Sequence, residues 1–322
     1  MTAMPYPIGQ PIPLPKLGSW PETVHVFESA SAYALAAAEA ANRPLLVRGE
    51  PGTGKSQLAR AAAVVRQRLF LSVVVNARTE CQDLQWHFDA VARLGEAQML
   101  AQTPLPPLES AARLEQQRFL SPGPLWWAFD WASAYEQWTT CSRPPEPVPL
   151  RPEGWQPQAG CVLLIDEIDK AEADLPNSLL ETLGNGDFPV PYRSGAVRQS
   201  TACPAPLVII TTNEERELPA AFLRRCLALQ LALSQEETAL STFLCQRGAM
   251  HFPTCADAVL HQAASLLLED RKAAQEQGLP PPGQAEYLDL LRAVCAMAPG
   301  ATEQIDLLVT LRQFVLQKSP PQ

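Results

Sequence analysis

Eight consecutive residues, Gly49-Glu50-Pro51-Gly52-Thr53-Gly54-Lys55-Ser56, carry the spacing G-x-x-x-x-G-K-[ST]. Glycines at these positions let the backbone turn tightly, so that successive N–H groups point inward at phosphates. A helix starting there adds positive potential from its N-terminus. The Lys55 ammonium suits β- and γ-phosphates, and the Ser56 hydroxyl suits Mg²⁺. A second group lies roughly 110 residues on, where the apolar run Val162-Leu163-Leu164-Ile165 ends in Asp166-Glu167. Charges at the carboxyl end of a parallel strand lie where open α/β sheets hold their ligands. Asp166 suits Mg²⁺, directly or through water, and Glu167 suits orienting or deprotonating a water that attacks the γ-phosphate. A third run, Leu207 to Thr212, ends in Asn213, which can hydrogen-bond that phosphate or water; its plain alternative is an ordinary turn asparagine. Phe222-Leu223-Arg224-Arg225-Cys226 then places two arginines at a helix end. An arginine near a γ-phosphate speeds transfer by about 10³–10⁵, and the bland alternative is a solvated basic pair.

These groups need strands to aim them. Pro44 to Arg48 is a short apolar run before the glycine loop, and Gln57 to Leu69 is Ala-, Leu- and Arg-rich, so the loop sits between strand and helix. Further strands are expected at Phe70–Asn76, Gly160–Ile165, Leu207–Thr212 and Leu227–Leu233, with a hairpin over Phe188–Val197 turning at Ser194-Gly195. Helices are expected over Glu28–Asn42, Glu80–Gln102 (spacing through Leu84, Phe88, Val91, Leu94 and Met99), Leu125–Trp138, Leu175–Leu183 and Pro219–Cys226. The four tryptophans of 125–138 read as core or interface. From Ser234 only helical patterns remain, at about 235–248, 256–277, 284–297 and 302–317, the first with Ser234 and Glu237 as a capping box. Strands alternating with helices, followed by helices alone, predict an α/β domain with a parallel sheet and then a small helical domain.

Composition narrows the classes. A chain of 322 residues at net charge −9 argues against a nucleic-acid coat or a polybasic membrane binder. Its N-terminus lacks the charged and apolar regions of a signal peptide, and no run of about 20 uncharged apolar residues exists, so a soluble, cytoplasmic protein without membrane insertion is expected. Eight scattered cysteines with no C-x-x-C pair argue against a zinc knuckle and read as reduced, mostly buried thiols. The 32 prolines cluster at 5–21, 144–157, 280–282 and 320–321, and are expected in linkers or at edges.

Taken together, RPLLVRGEPGTGKSQLARA (43–61), VLLIDEIDKAEADLPNSLLETL (162–183) and LVIITTNEERELPAAFLRRC (207–226) resemble the AAA+ ATPases, and within them the MoxR-like group. TECQDLQWHFDAVARLGEAQ (79–98) is similar to the stretch after the second strand in such chains. The resemblance implies a P-loop NTPase three-layer αβα core over 22–233 after a proline-rich segment 1–21, an insertion at about 78–124, and a helical lid over 234–322. It implies ATP contacts from Gly49 through Ser56 and Gln57, and Mg²⁺ at Ser56 and Asp166. It implies catalysis by Lys55, Glu167 and Asn213, with Arg224 or Arg225 reaching a neighbour's ATP in a ring, usually a hexamer. The function implied is ATP hydrolysis coupled to remodelling of a client, with a von Willebrand factor A-type protein as the family-level partner. A nucleic-acid motor of a restriction or defence system and a nucleotide-gated scaffold with low turnover stand as alternatives; the acidic charge speaks against the first. One departure stands out: such lids usually carry an arginine early in a helix, whereas Pro282-Gly283-Gln284-Ala285-Glu286 has none and Arg292 lies two turns later.

Overall fold

The computed structural model describes residues 4–103 and 105–317. The chain begins with β1 (Pro11–Leu14), β2 (Thr23–Val26), α1 (Ser29–Ala41), β3 (Leu45–Arg48), α2 (Lys55–Val65) and β4 (Leu69–Val74). There follow α3 (Cys81–Gln85), β5 (Trp86–Phe88), α4 (Ala90–Gln102), α5 (Pro107–Arg113), β6 (Leu120–Pro122), α6 (Pro124–Phe129) and α7 (Trp131–Thr140). Next come β7 (Cys161–Asp166), α8 (Asp174–Asn185), β8 (Asp187–Pro189), β9 (Ala196–Arg198), β10 (Leu207–Thr212), α9 (Ala220–Arg225) and β11 (Leu227–Gln230). The helices α10 (Glu237–His251), α11 (Asp257–Glu276), α12 (Gln284–Met297) and α13 (Ala301–Val315) close the described chain. Two compact units result, one of residues 4–7, 28–47 and 59–229, the other of 8–27, 48–58 and 230–317.

The first unit is built on a parallel five-stranded sheet in the order β11-β3-β10-β7-β4. Its inner strands are apolar on both faces: Leu45 to Val47, Cys161 to Ile165 and Leu207 to Thr212 are all buried. Such strands need cover on both sides, which is why helices alternate with them. Each fully buried Leu or Ile contributes about 2 kcal/mol. Register places Ile210 beside Ile165, and Val74 beside Asp166 on the other flank. Leu46, Leu71, Leu163, Ile165 and Ile210 share a core with Trp126 and Trp127.

Several sequence expectations are corrected here. The helix expected over 80–102 is interrupted by β5, which pairs with β6, and α4 buries none of its residues. Val91, Leu94 and Met99 form the expected stripe but point to solvent, 81%, 60% and 67% exposed. The aromatic helix is two helices, broken at Asp130, whose extended φ of −146° stops α6 and whose side chain accepts from Ser133 N to cap α7. Only Cys141, Cys161 and Cys226 among the eight cysteines are buried. The expected hairpin forms from β8 and β9, with a longer loop that includes left-handed Tyr192 and Gly195.

In the second unit β1 and β2 pair antiparallel, Pro11 opposite Val26 and Pro13 opposite Val24, in a two-stranded sheet where a proline's missing N–H is tolerated. The helices α10–α13 close over Leu244, Leu260, Leu267, Tyr287 and Leu291. The capping box expected from Ser234 is replaced by Glu236, whose carboxylate accepts from Thr238 N and Ala239 N, while Ser234 Oγ accepts from Glu236 N. Pro320-Pro321, the last proline cluster, lies outside the described residues. No helix of the described residues is long and apolar enough to cross a membrane.

Candidate functional site

The loop Gly49–Ser56 is a backbone construction. Gly49 has φ +148°, and a Cβ there would sit 2.1 Å from the Leu231 carbonyl oxygen. That oxygen is fixed by its chain, because Leu231 N donates to Arg48 O at 2.8 Å. Gly52, at φ +78°, would place a Cβ 2.9 Å from the Ala285 side chain. Gly54, at φ +89°, has no neighbouring atom within 4 Å of that position, so the loop is open on this side. Thr53 Oγ1 donates to Glu50 O at 2.9 Å and ties the tip. The Lys55 ammonium is buried, donating to Gly49 O at 2.7 Å and Glu50 O at 2.9 Å. Lys55 also opens α2, so Ser56 and Gln57 stand in the first turn, where N–H groups lack helical partners. Left-handed glycines, an internal ammonium and a helix N-terminus fit a polyphosphate. The Ser56 hydroxyl and the Asp166 carboxylate are hard oxygen donors of the kind Mg²⁺ takes.

In the first unit the tips of β7 and β10 lie side by side. Thr211 Oγ1 donates to Asp166 Oδ1 and accepts from Glu167 N at 3.0 Å. This tie holds Glu167 at φ +61°, a left-handed setting that costs a non-glycine residue about 1 kcal/mol or more. Its carboxylate is approached from two sides: Asn213 Nδ2 reaches Oε1 at 3.4 Å, and Lys170 Nζ donates to Oε2 at 2.7 Å. The hydrogen bond to Glu167 raises the pKa of the exposed Lys170 ammonium. Asp169, 2% exposed, accepts from Asn213 N at 3.4 Å and Glu215 N at 2.9 Å, so a buried carboxylate shapes the turn that presents Asn213.

Arg224 and Arg225 lie exposed in the last turn of α9. Their carbonyls are gathered by Arg43, whose guanidinium donates to Arg224 O, to Arg225 O at 3.0 Å and to Cys226 O at 3.5 Å. A cation on these orphan carbonyls satisfies acceptors that the helix leaves open and complements its negative C-terminal end. The structure thus brings Asp166, Glu167 and Asn213 together within the first unit. The loop residues gather in the second unit, and the two arginines stand at the end of α9.

Sequence reasoning missed four partners. Thr211, Asp169 and Lys170 lie inside runs already singled out, and their polar types within apolar strands or beside Glu167 were the available signal. Arg271 had none. On α11, with its side chain 5% exposed, it donates to Glu50 Oε2 at 3.0 Å across 221 residues and to Pro282 O at 2.9 Å. Arg292, by contrast, is exposed and paired with Asp289.

A family model described as "AAA domain (dynein-related subfamily)" matches residues 44–226, more than half of the chain. Among solved structures, a point variant of RuvB from Thermotoga maritima aligns over 88% of this chain and 68% of its own, at 15% identity and TM-score 0.45. A putative ATPase from Cytophaga hutchinsonii aligns over 89% of this chain and 79% of its own, at 13% identity and TM-score 0.36. No curated protein matches the chain.

Proposed function

Because the chain belongs to the AAA domain family, dynein-related subfamily, we propose that it is a Mg²⁺-dependent ATPase of the MoxR-like type that remodels a partner protein. The observation that carries this reading is the strand-tip cluster, in which Glu167 stands between Asn213 and Lys170 beside a Thr211-anchored Asp166. In this reading the Gly49–Ser56 N–H groups and Lys55 hold the polyphosphate, with Pro51, Thr53 and Gln57 shaping the loop and its helix. Ser56 and Asp166 are the residues that would supply oxygen donors to Mg²⁺, which would neutralise phosphate charge. Glu167 accepts the proton of the attacking water, and Asn213 orients that water toward the γ-phosphate. The exposure of Arg224 and Arg225 supports an arginine supplied to a neighbouring copy's ATP, and with it a ring, a hexamer in the simplest case. Within this reading residues 22–233 are the ATPase core and 234–322 the lid.

The client surface is proposed on the insertion at about 78–124, where exposed Val91, Leu94, Met99 and Leu108 leave apolar area uncovered. A von Willebrand factor A-type protein is the proposed partner class, and the exposed Tyr192 in the β8–β9 loop marks a second contact candidate. The test is Glu167→Gln. It should keep ATP binding and lower turnover at least about 100-fold. Undiminished turnover would remove Glu167 as the base and with it the mechanism.

A further inference from the structure

An arginine buried beside the glycine loop takes its charge partner from a carboxylate of the loop itself. Arg271 is in that position. One arm of its guanidinium holds Glu50 Oε2 at 3.0 Å, and the other holds Pro282 O at 2.9 Å, two residues before α12 begins. The start of α12 lies against the loop: a Cβ at Gly52 would stand 2.9 Å from Ala285 Cβ and 3.5 Å from Glu286 Oε2. Glu286 Oε2 also accepts from Gly283 N at 3.0 Å. Two carboxylates, Glu50 and Glu286, therefore stand within reach of a loop whose charge preference is for an anion. Against them are the Lys55 ammonium and the Arg271 guanidinium.

We propose that Arg271 is a positioning residue that sets nucleotide affinity by cancelling the charge of Glu50 and pinning Pro282, without touching the nucleotide. Glu50 is about half exposed whereas Arg271 is buried, so the pair is anchored at the helix end and free at the loop end. Loss of the guanidinium leaves Glu50 hydrated but uncancelled beside the phosphates. Loss of the Glu50 charge leaves a buried cation whose field favours polyphosphate, at a cost in stability. The two changes thus push affinity in opposite directions, and removing both charges restores the balance.

This inference rests on the ATPase reading, and its test separates the two. Binding of a fluorescent ADP analogue with Mg²⁺ is measured on the full chain for the wild type, Arg271→Gln, Glu50→Gln, the double variant and Arg271→Lys, at low and high salt. Arg271→Gln should weaken binding about tenfold, less at high salt, and Glu50→Gln should tighten it severalfold. The double variant, which loses both charges, should return near the wild type, as should Arg271→Lys. Thermal unfolding should show Glu50→Gln less stable than the double variant, which keeps the test valid if one single variant folds poorly. If the double variant binds as weakly as Arg271→Gln alone, Arg271 acts on the nucleotide and not through Glu50, and the inference is overturned. Wild-type affinity in Arg271→Gln overturns it equally. A wild-type chain that binds no nucleotide sinks the ATPase reading instead.

Discussion

The phosphate loop and the strand-tip cluster are both polar, but they are made of different material. The loop is made of backbone: Gly49 and Gly52 adopt angles and clearances that leave no room for a methyl group. The tips are made of side chains: Asp166, Glu167, Asp169, Lys170, Thr211 and Asn213 define each other through hydrogen bonds. Backbone construction is intolerant of added volume and indifferent to most side-chain chemistry. Side-chain construction is the reverse, because swapping an oxygen for an NH₂ changes an acceptor into a donor without changing shape.

The largest effect expected from that contrast is at Gly49. Gly49→Ala forces a carbon to 2.1 Å from Leu231 O at φ +148°, so it should destabilise by about 3 kcal/mol or more and abolish binding of a nucleotide analogue. A normally binding, normally melting variant would mean the loop is softer than its geometry. The isosteric counterpart is Asp169→Asn. It keeps the volume but sets an NH₂ against the N–H of Asn213 or Glu215, at a cost of about 1–3 kcal/mol. Turnover should fall about tenfold with KM nearly unchanged, since the loop is untouched; a matching rise in KM would erase the distinction between the regions.

Acid offers a gentler separation. His25 on β2 and His251 at the end of α10 belong to the second unit, and burial first, then the charge of Arg247, pushes their imidazoles down to about 3 and about 4. Both pKa values lie below the ordinary 6.5, so folding favours the uncharged rings. Their contribution is complete above pH 6.5 and is lost as pH falls toward 4 and then 3. The melting temperature should therefore plateau above 6.5 and decline below it, and His251→Phe should flatten the upper part of that decline. An unchanged acid limb in His251→Phe would exclude it as the source. The smallest effect is expected at Lys170, because an exposed ion pair is weak. Lys170→Gln frees one Glu167 oxygen and should change kcat by no more than about fivefold. A change of a hundredfold would make Lys170 part of the chemistry.

The parallel core was legible because buried strands such as Val162–Ile165 and Leu207–Thr212 are nearly continuous apolar runs, and the four C-terminal helices carry clean helical spacing. The stripe on α4 was legible as a pattern yet misleading as burial: Val91, Leu94 and Met99 repeat as core residues do, but nothing among the described residues covers them. The break at Asp130 was hidden because an aspartate in an aromatic run reads equally as a helix interior residue or as a cap, and only the backbone angle decides.

By itself the sequence determined the glycine loop before α2 and the acids at the end of β7, because both are local features written in consecutive residues. Only the tertiary structure decided what stands next to them. Thr211 meets Asp166 because β10 pairs in parallel with β7, Arg43 finds the carbonyls of α9 across 181 residues, and Arg271 reaches Glu50 across 221. Ion pairs and hydrogen bonds act over a few ångströms of space, whatever the separation along the chain, so partners of this kind leave no mark in sequence spacing.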